Sequence, residues 1–145
     1  MLDLIQKNYN LALLNFPEIF YKNYKLFIEI SFNSDNSSKY LALIDTGSTN
    51  TLISYNIVEN EKLIDLIDFN YNEEIKSINN INKCKGRIWY LEFKNNDTIL
   101  KSSPIIINNS SYDIILGLDF LSINNLDILL SKKILIKKDK IIKIL

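Results

Sequence analysis

Leu41-Ala42-Leu43-Ile44-Asp45-Thr46-Gly47-Ser48 is the stretch on which the reading of this chain turns. Four apolar residues deliver a carboxylate, two hydroxyls and a glycine, the form of a buried strand that ends in a loop holding a reactive acid. An isolated Asp-Thr-Gly is a common turn, because Asp and Gly both favour turn geometry. Its surroundings argue for more. The polar residues Asn33 to Lys39 separate this run from an earlier one, Tyr24 to Phe32, so a hairpin leads into the loop. Thr51-Leu52-Ile53-Ser54 resumes an extended apolar pattern after it, and a second apolar run closed by glycine, Ile114-Ile115-Leu116-Gly117, follows far downstream.

Asp-Thr-Gly-Ser and Ile-Leu-Gly, in that order, resemble the aspartic proteases of retroviral type, with a looser likeness from about Lys25 to Leu145. The resemblance implies an all-β fold, a retropepsin-like acid-protease barrel with one lobe per chain and one short helix in its C-terminal half, near Leu118 to Ser122. It implies an N-terminal extension at residues 1–22 and a protease domain at 23–145. Asp45 is then the catalytic carboxylate, supported by Thr46, Gly47 and Ser48. In the family the threonine ties two catalytic loops together, and the residue at the Ser48 position hydrogen-bonds the carboxylate. Ile115, Leu116 and Gly117 are the structural strand behind the site, which also lines part of the cleft. A flap hairpin is expected over Ile75 to Gly86, with Ile78, Asn79, Asn80 and Ile81 as its substrate-binding tip. Family tips are rich in glycine so that bare backbone can approach the substrate; this segment has no glycine before Gly86, and asparagine is the next most permissive residue.

Enzymes of this class use no covalent nucleophile. Two carboxylates that share one proton hold a water, one acting as base toward it and the other as acid toward the peptide carbonyl. This chain has one complete loop: Asp97-Thr98-Ile99 and Asp113-Ile114-Ile115 lack the glycine. The second carboxylate therefore comes from Asp45 of another copy, and a symmetric homodimer is expected. The expected activity is that of an aspartic endopeptidase with no cofactor and no metal, cutting an extended peptide between apolar residues.

Length and composition bound the alternatives. With 145 residues, 47% of them hydrophobic, the chain is one domain with one core. Lys plus Arg equals Asp plus Glu at 17 each, which removes the electrostatic case for nucleic acid. Histidine is absent, so Ser-His-Asp and Cys-His mechanisms and most zinc sites are excluded. Cys84 is the single cysteine and the start lacks the pattern of a secretory leader, a combination that reads as cytosolic. No apolar run approaches the length of a membrane span.

Further strands are expected at Arg87 to Phe93, Thr98 to Lys101, Pro104 to Ile107, and in a Lys/Ile-alternating hairpin around Lys138-Asp139; Asn56 to Leu66 reads as a short helical turn and loop. Ile, Asn and Lys, which have A/T-rich codons, crowd the chain, and the closing segment Ile128 to Leu145 is basic and strand-like. On those grounds the resemblance extends to the proteases of plant pararetrovirus polyproteins, of the caulimovirus, badnavirus and tungro bacilliform type, and to gypsy-type elements. That branch implies a viral polyprotein substrate and a location in the host cytoplasm or the virion. Two alternatives share the fold: the protease domain of cellular ubiquitin-shuttle proteins of the DNA-damage-inducible type, which also favours Leu-Gly-Leu-Asp, and a catalytically silent domain for dimerisation or peptide binding. A nucleic-acid-binding β-barrel using Lys137, Lys138, Lys140 and Lys143 with Trp89 and Tyr90 is a third, opposed by the zero net charge.

Overall fold

Alternation with period two writes most of the architecture, because successive side chains of a strand point to opposite faces. The computed structural model describes residues 4, 6–7, 25–32, 38–76, 81–108 and 110–145. Within them lie β1 (Leu26–Phe32), β2 (Tyr40–Ile44), β3 (Leu52–Ser54), α1 (Tyr55–Asn60), β4 (Glu74–Lys76), β5 (Ile81–Lys83), β6 (Gly86–Arg87), β7 (Leu91–Asn95), β8 (Thr98–Ser102), β9 (Ile105–Ile107), β10 (Ile114–Leu116), α2 (Leu118–Ile123), β11 (Asp127–Leu129), β12 (Ile134–Lys137) and β13 (Lys140–Lys143). Ile28, Ile30 and Phe32 of β1 and Thr98, Leu100 and Ser102 of β8 point inward while their neighbours are more exposed.

Eight strands form one sheet in the order β6-β9-β3-β10-β2-β1-β7-β8; β11-β12-β13 form a second sheet and β4-β5 a separate hairpin. The large sheet is curled, and connectivity requires it. β6 lies at one edge and β7 next to the other, yet only residues 88–90 join them. That link spans at most about 14 Å even when fully extended, so the two ends of the sheet must approach each other. The same crossing divides the strand expected over Arg87 to Phe93 into β6 and β7, with Trp89 and Tyr90 exposed at the bend.

The main core fills the inside of the curl: Ile28, Ile30, Ala42, Ile53, Phe93, Leu100, Ile114, Leu116 and Phe120, closed at one end by Leu135 and Ile142 of the second sheet. Each of the Ile, Leu and Phe side chains taken fully from water contributes about 1.5–3 kcal/mol. A smaller cluster of Leu52, Ile105 and Ile107, with Tyr71, Ile75, Cys84 and Ile115 against it, involves alternate residues of the same strands together with Ile75 of the β4-β5 hairpin. Besides the expected α2, the chain forms a helix at α1, which starts one residue before the region read as a helical turn and overlaps it, followed by a 3-10 turn at Ile64–Leu66. β11 is a further strand, added to the expected C-terminal hairpin.

The feature that builds the site is a strand out of sequence order. β2 and β3 are consecutive in the chain, but β10 is inserted between them, parallel to β2 and antiparallel to β3. Residues 45–51 must therefore arch across the end of β10 to get from one neighbour to the other.

Candidate active site

Asp45 leaves β2 with its N–H donating to the Leu116 carbonyl at 2.9 Å, which carries the β2–β10 pairing one residue past the strand. The Ser48 N–H donates to the Asp45 carbonyl at 3.1 Å and closes a four-residue turn. Inside that turn the Gly47 N–H donates to Asp45 Oδ1 at 2.9 Å. The carboxylate is thereby fixed in direction while remaining partly open to solvent. Thr46 and Gly47 are exposed beside it.

Gly117 shows how tightly the arch lies on β10. A Cβ there would stand 2.5 Å from the Asn50 carbonyl oxygen and 2.7 Å from that of Ser48, both backbone atoms, so no side chain fits. The start of α2 then holds the arch from below. Its Leu118 N–H donates to the Ser48 carbonyl at 2.8 Å and its Asp119 N–H to that of Thr49 at 3.2 Å, so helix-end donors that lack an intrahelical partner are taken up by the loop.

A buried relay completes the support. Thr51, fully buried at the end of the arch, donates its N–H to Asp119 Oδ2 at 3.1 Å and its hydroxyl to Asp119 Oδ1 at 2.8 Å. The same hydroxyl accepts the Gly117 N–H at 3.2 Å, and Asp119 Oδ1 also accepts from the Phe120 N–H at 2.7 Å. Donor and acceptor capacity of the hydroxyl are both used. Neither Thr51 nor Asp119 was singled out in the sequence. The available signal was a threonine opening an apolar strand and an acid in the first turn of a helix, each of which needs a partner when buried.

Of the residues picked out by sequence, Asp45, Thr46, Gly47, Ser48, Leu116 and Gly117 meet at this arch. Leu116 is fully buried in the main core, whereas Ile115 faces the smaller cluster under the β4-β5 hairpin. One family expectation differs: the Ser48 hydroxyl donates to the Asn50 carbonyl at 2.7 Å and stiffens the arch, while Gly47 supplies the bond to the carboxylate. Ile78, Asn79 and Asn80 lie outside the described residues. Ile81 opens β5, paired with Lys76 of β4, so the hairpin stem stands where the flap was expected.

An aromatic and charged cluster joins the chain before the stem, at Asp68 and Tyr71, to the chain after it, at Arg87 and Trp89. Arg87 stacks on Trp89 and Tyr71, at 4.6 and 5.2 Å from the ring centroids, and its Nε donates to the Ser103 carbonyl and hydroxyl. The Trp89 indole N–H donates to Asp68 Oδ2 at 2.9 Å. With the Asn70 N–H also donating to Asp68, this holds the Asp68 carboxyl below the usual carboxylate range. Among the described residues, no three His, Cys, Asp or Glu side chains gather as a metal site, and no helix is long and apolar enough to cross a membrane.

Comparison with known proteins adds four findings. The family model described as aspartyl protease matches residues 17–129. The UBA domain-containing protein Mud1 of Schizosaccharomyces pombe is 28% identical over 117 residues, which are 81% of this chain and 34% of that protein. DNA damage-inducible protein 1 of Neurospora crassa is 27% identical over 117 residues, 81% of this chain and 26% of that protein. Among solved structures, the retroviral protease-like domain of Ddi1 from Leishmania major superposes with a TM-score of 0.73 at 20% identity, covering 86% of this chain and 96% of that one. The chain thus spans about a third or less of the curated relatives it matches.

These findings support the retropepsin-like fold and correct the expected origin. The matched relatives are proteins of cellular organisms, so a place in a viral polyprotein, in the host cytoplasm or the virion, does not hold. The plant pararetrovirus branch and its polyprotein substrate have no support among them. Both features behind that reading were indirect: codon bias belongs to a genome rather than a fold, and the basic C-terminal hairpin here packs as an ordinary second sheet against the core.

Proposed function

Because this chain belongs to the aspartyl protease family, we propose that it is an aspartic endopeptidase domain of the cellular, ubiquitin-shuttle type, active as a homodimer in which each copy supplies one Asp45. The observation that carries this reading is the Asp45 arch: a partly exposed carboxylate fixed by Gly47 and braced by Gly117, Thr51 and Asp119, an arrangement that a bare surface turn has no need of. An extended peptide lies between the two copies and under the hairpins, with its apolar side chains against Leu52, Ile107, Ile115 and Ile75.

In this reading the ionised Asp45 takes a proton from the bridging water as its oxygen attacks the scissile carbonyl, and the protonated Asp45 of the other copy gives its proton to the carbonyl oxygen. The tetrahedral species then collapses, a proton passes to the amide nitrogen, and the C–N bond breaks. Neither step needs a group beyond the two carboxylates and water. The test is hydrolysis of a library of extended peptides by the wild type and by Asp45→Asn, which keeps the size of the side chain and removes the base. Loss of about a thousandfold or more in rate is expected for the variant at unchanged circular dichroism, together with inhibition of the wild type by statine-type compounds and not by chelators. Retained hydrolysis in Asp45→Asn would overturn the assignment.

A silent peptide-binding domain is the second reading, favoured by the lack of glycine in the segment 75–85 that would form the flap. Under it, the wild type captures peptides in the library without cleaving any.

A further inference from the structure

We propose that the tip of the β12-β13 hairpin and the outer edge of β8 together form a docking groove for an acidic peptide segment. The groove, of about 300 Å³, is lined by Thr98, Ile99, Lys137, Lys138, Asp139 and Lys140, and none of these belongs to the Asp45 arch or to the β4-β5 hairpin.

Charge distribution is the first support. Residues 132–145 hold six of the chain's 17 basic residues and one of its 17 acidic ones, so the zero net charge conceals a basic end on an acidic remainder. Register is the second. Leu135 and Ile142 are cross-strand partners and fully buried, which makes theirs the core-facing side of the hairpin. Period two puts Lys137 and Lys140 on that same side, directly paired with each other. Beyond the last apolar pair, where the core ends, the hairpin presents two ammonium groups toward β8.

Like charges directly opposite on two strands repel. Partial burial first, and then the charges of Lys101 on β8, Lys140 and Lys138 in the turn, push the Lys137 ammonium below its ordinary pKa. Lys137 Nζ spends one donor on the Ile99 carbonyl at 3.0 Å. Among the described residues, none of these four lysines forms an ion pair with a carboxylate. A group of negative charge laid between them relieves a repulsion that the fold itself leaves in place.

The groove also selects the kind of ligand. Pairing to the edge of β8 is blocked, since the Asn124 side chain occupies both the N–H and the carbonyl of Lys101 at 2.7 and 2.8 Å and Lys137 occupies the Ile99 carbonyl. Recognition therefore runs through side-chain carboxylates, with the half-exposed Ile99 as an apolar floor. No aromatic residue lines the groove for base stacking, and the acidic remainder of the chain repels a long polyphosphate, which argues for a peptide over a nucleic acid.

The test is fluorescence anisotropy of a labelled oligo-glutamate peptide with the full chain, beside a single-stranded oligonucleotide of equal length. Lys140→Glu and Lys143→Glu change net charge equally, but Lys143 pairs with Ile134 on the opposite face. Expected are saturable peptide binding that weakens with salt, a loss of about tenfold in Lys140→Glu, and little change in Lys143→Glu. Amide shifts of the wild type on adding peptide should centre on residues 98–101 and 137–140, a readout independent of any variant. Equal losses in the two variants, tighter binding of the oligonucleotide, shifts centred elsewhere or no binding at all would each overturn the proposal.

Discussion

Deleting the Asp119 carboxylate strands the Thr51 N–H, the Thr51 hydroxyl and the Phe120 N–H at once, in a place with little access to water. Leaving buried donors unpaired costs about 1–3 kcal/mol, and each kcal/mol lowers Tm by roughly 2–4 °C in a chain of this size. Asp119→Ala is therefore expected to melt several degrees lower in a calorimetric scan and to lose hydrolysis out of proportion to its folded fraction, because the arch carrying Asp45 is tied to the same carboxylate. Asp119→Asn keeps one acceptor and should fall between. A second carboxylate makes a pH-dependent prediction. Asp68 is held below the usual carboxylate range first by the Trp89 indole N–H and then by the Asn70 N–H. Its contact contributes stability that is complete above the ordinary carboxylate pKa and is lost as pH falls through the lowered one. Trp89 is the only tryptophan, so an acid titration of its emission should show a midpoint below the ordinary value, and Asp68→Asn should abolish that transition.

Elements divide into those that were legible from the sequence and those that were not, along a physical line. β1, β2, β8 and β10 were readable because half-burial stamps period two, or a short apolar run, onto the chain. The insertion of β10 between β2 and β3 was not readable from the residues themselves, since parallel pairing to a distant strand leaves no local trace; the family resemblance put Ile115 to Gly117 behind the site, and the glycine at 117 hints that something lies close. The break between β6 and β7 was hidden for a similar reason, because Ile88, Trp89 and Tyr90 are all good strand formers and only the closing of the curl bends them. The consequence at Gly117 is testable. Gly117→Ala forces its Cβ against backbone that cannot move without lifting the arch, at a cost of about 1–3 kcal/mol or more. It should destabilise the chain in urea denaturation and abolish hydrolysis even where it is fully folded. Asn124 protects another element: its amide mimics a strand on the β8 edge, donates also to the Phe120 carbonyl, and is almost fully buried. Asn124→Ala should lower stability by about 1–3 kcal/mol and, by opening an unpaired edge, raise light scattering near the melting point.

On the scale of the whole molecule, one Asp-Thr-Gly in 145 residues is the ground on which a shared site is proposed, and it was legible as soon as Asp97 and Asp113 failed to show a glycine. Cellular or viral origin was not legible, because composition reports codon usage and the same fold serves both. The proposed dimer gives the last prediction. If each site needs Asp45 from two copies, activity per chain must fall on dilution through the dissociation constant, becoming proportional to concentration well below it, where most chains are single. Dilution alone does not separate this from loss of protein to surfaces, so the inactive chain is the better probe. Wild-type chains mixed with an equal amount of Asp45→Asn, well above the dissociation constant, redistribute at random, and wild-type pairs drop to about half the number they form alone. Hydrolysis should halve over the time of subunit exchange and fall further as the inactive chain is added in excess. A wild type whose rate ignores the Asp45→Asn chain, while sedimentation shows the two forming mixed dimers, would place a complete site within one chain and exclude the shared pair of carboxylates.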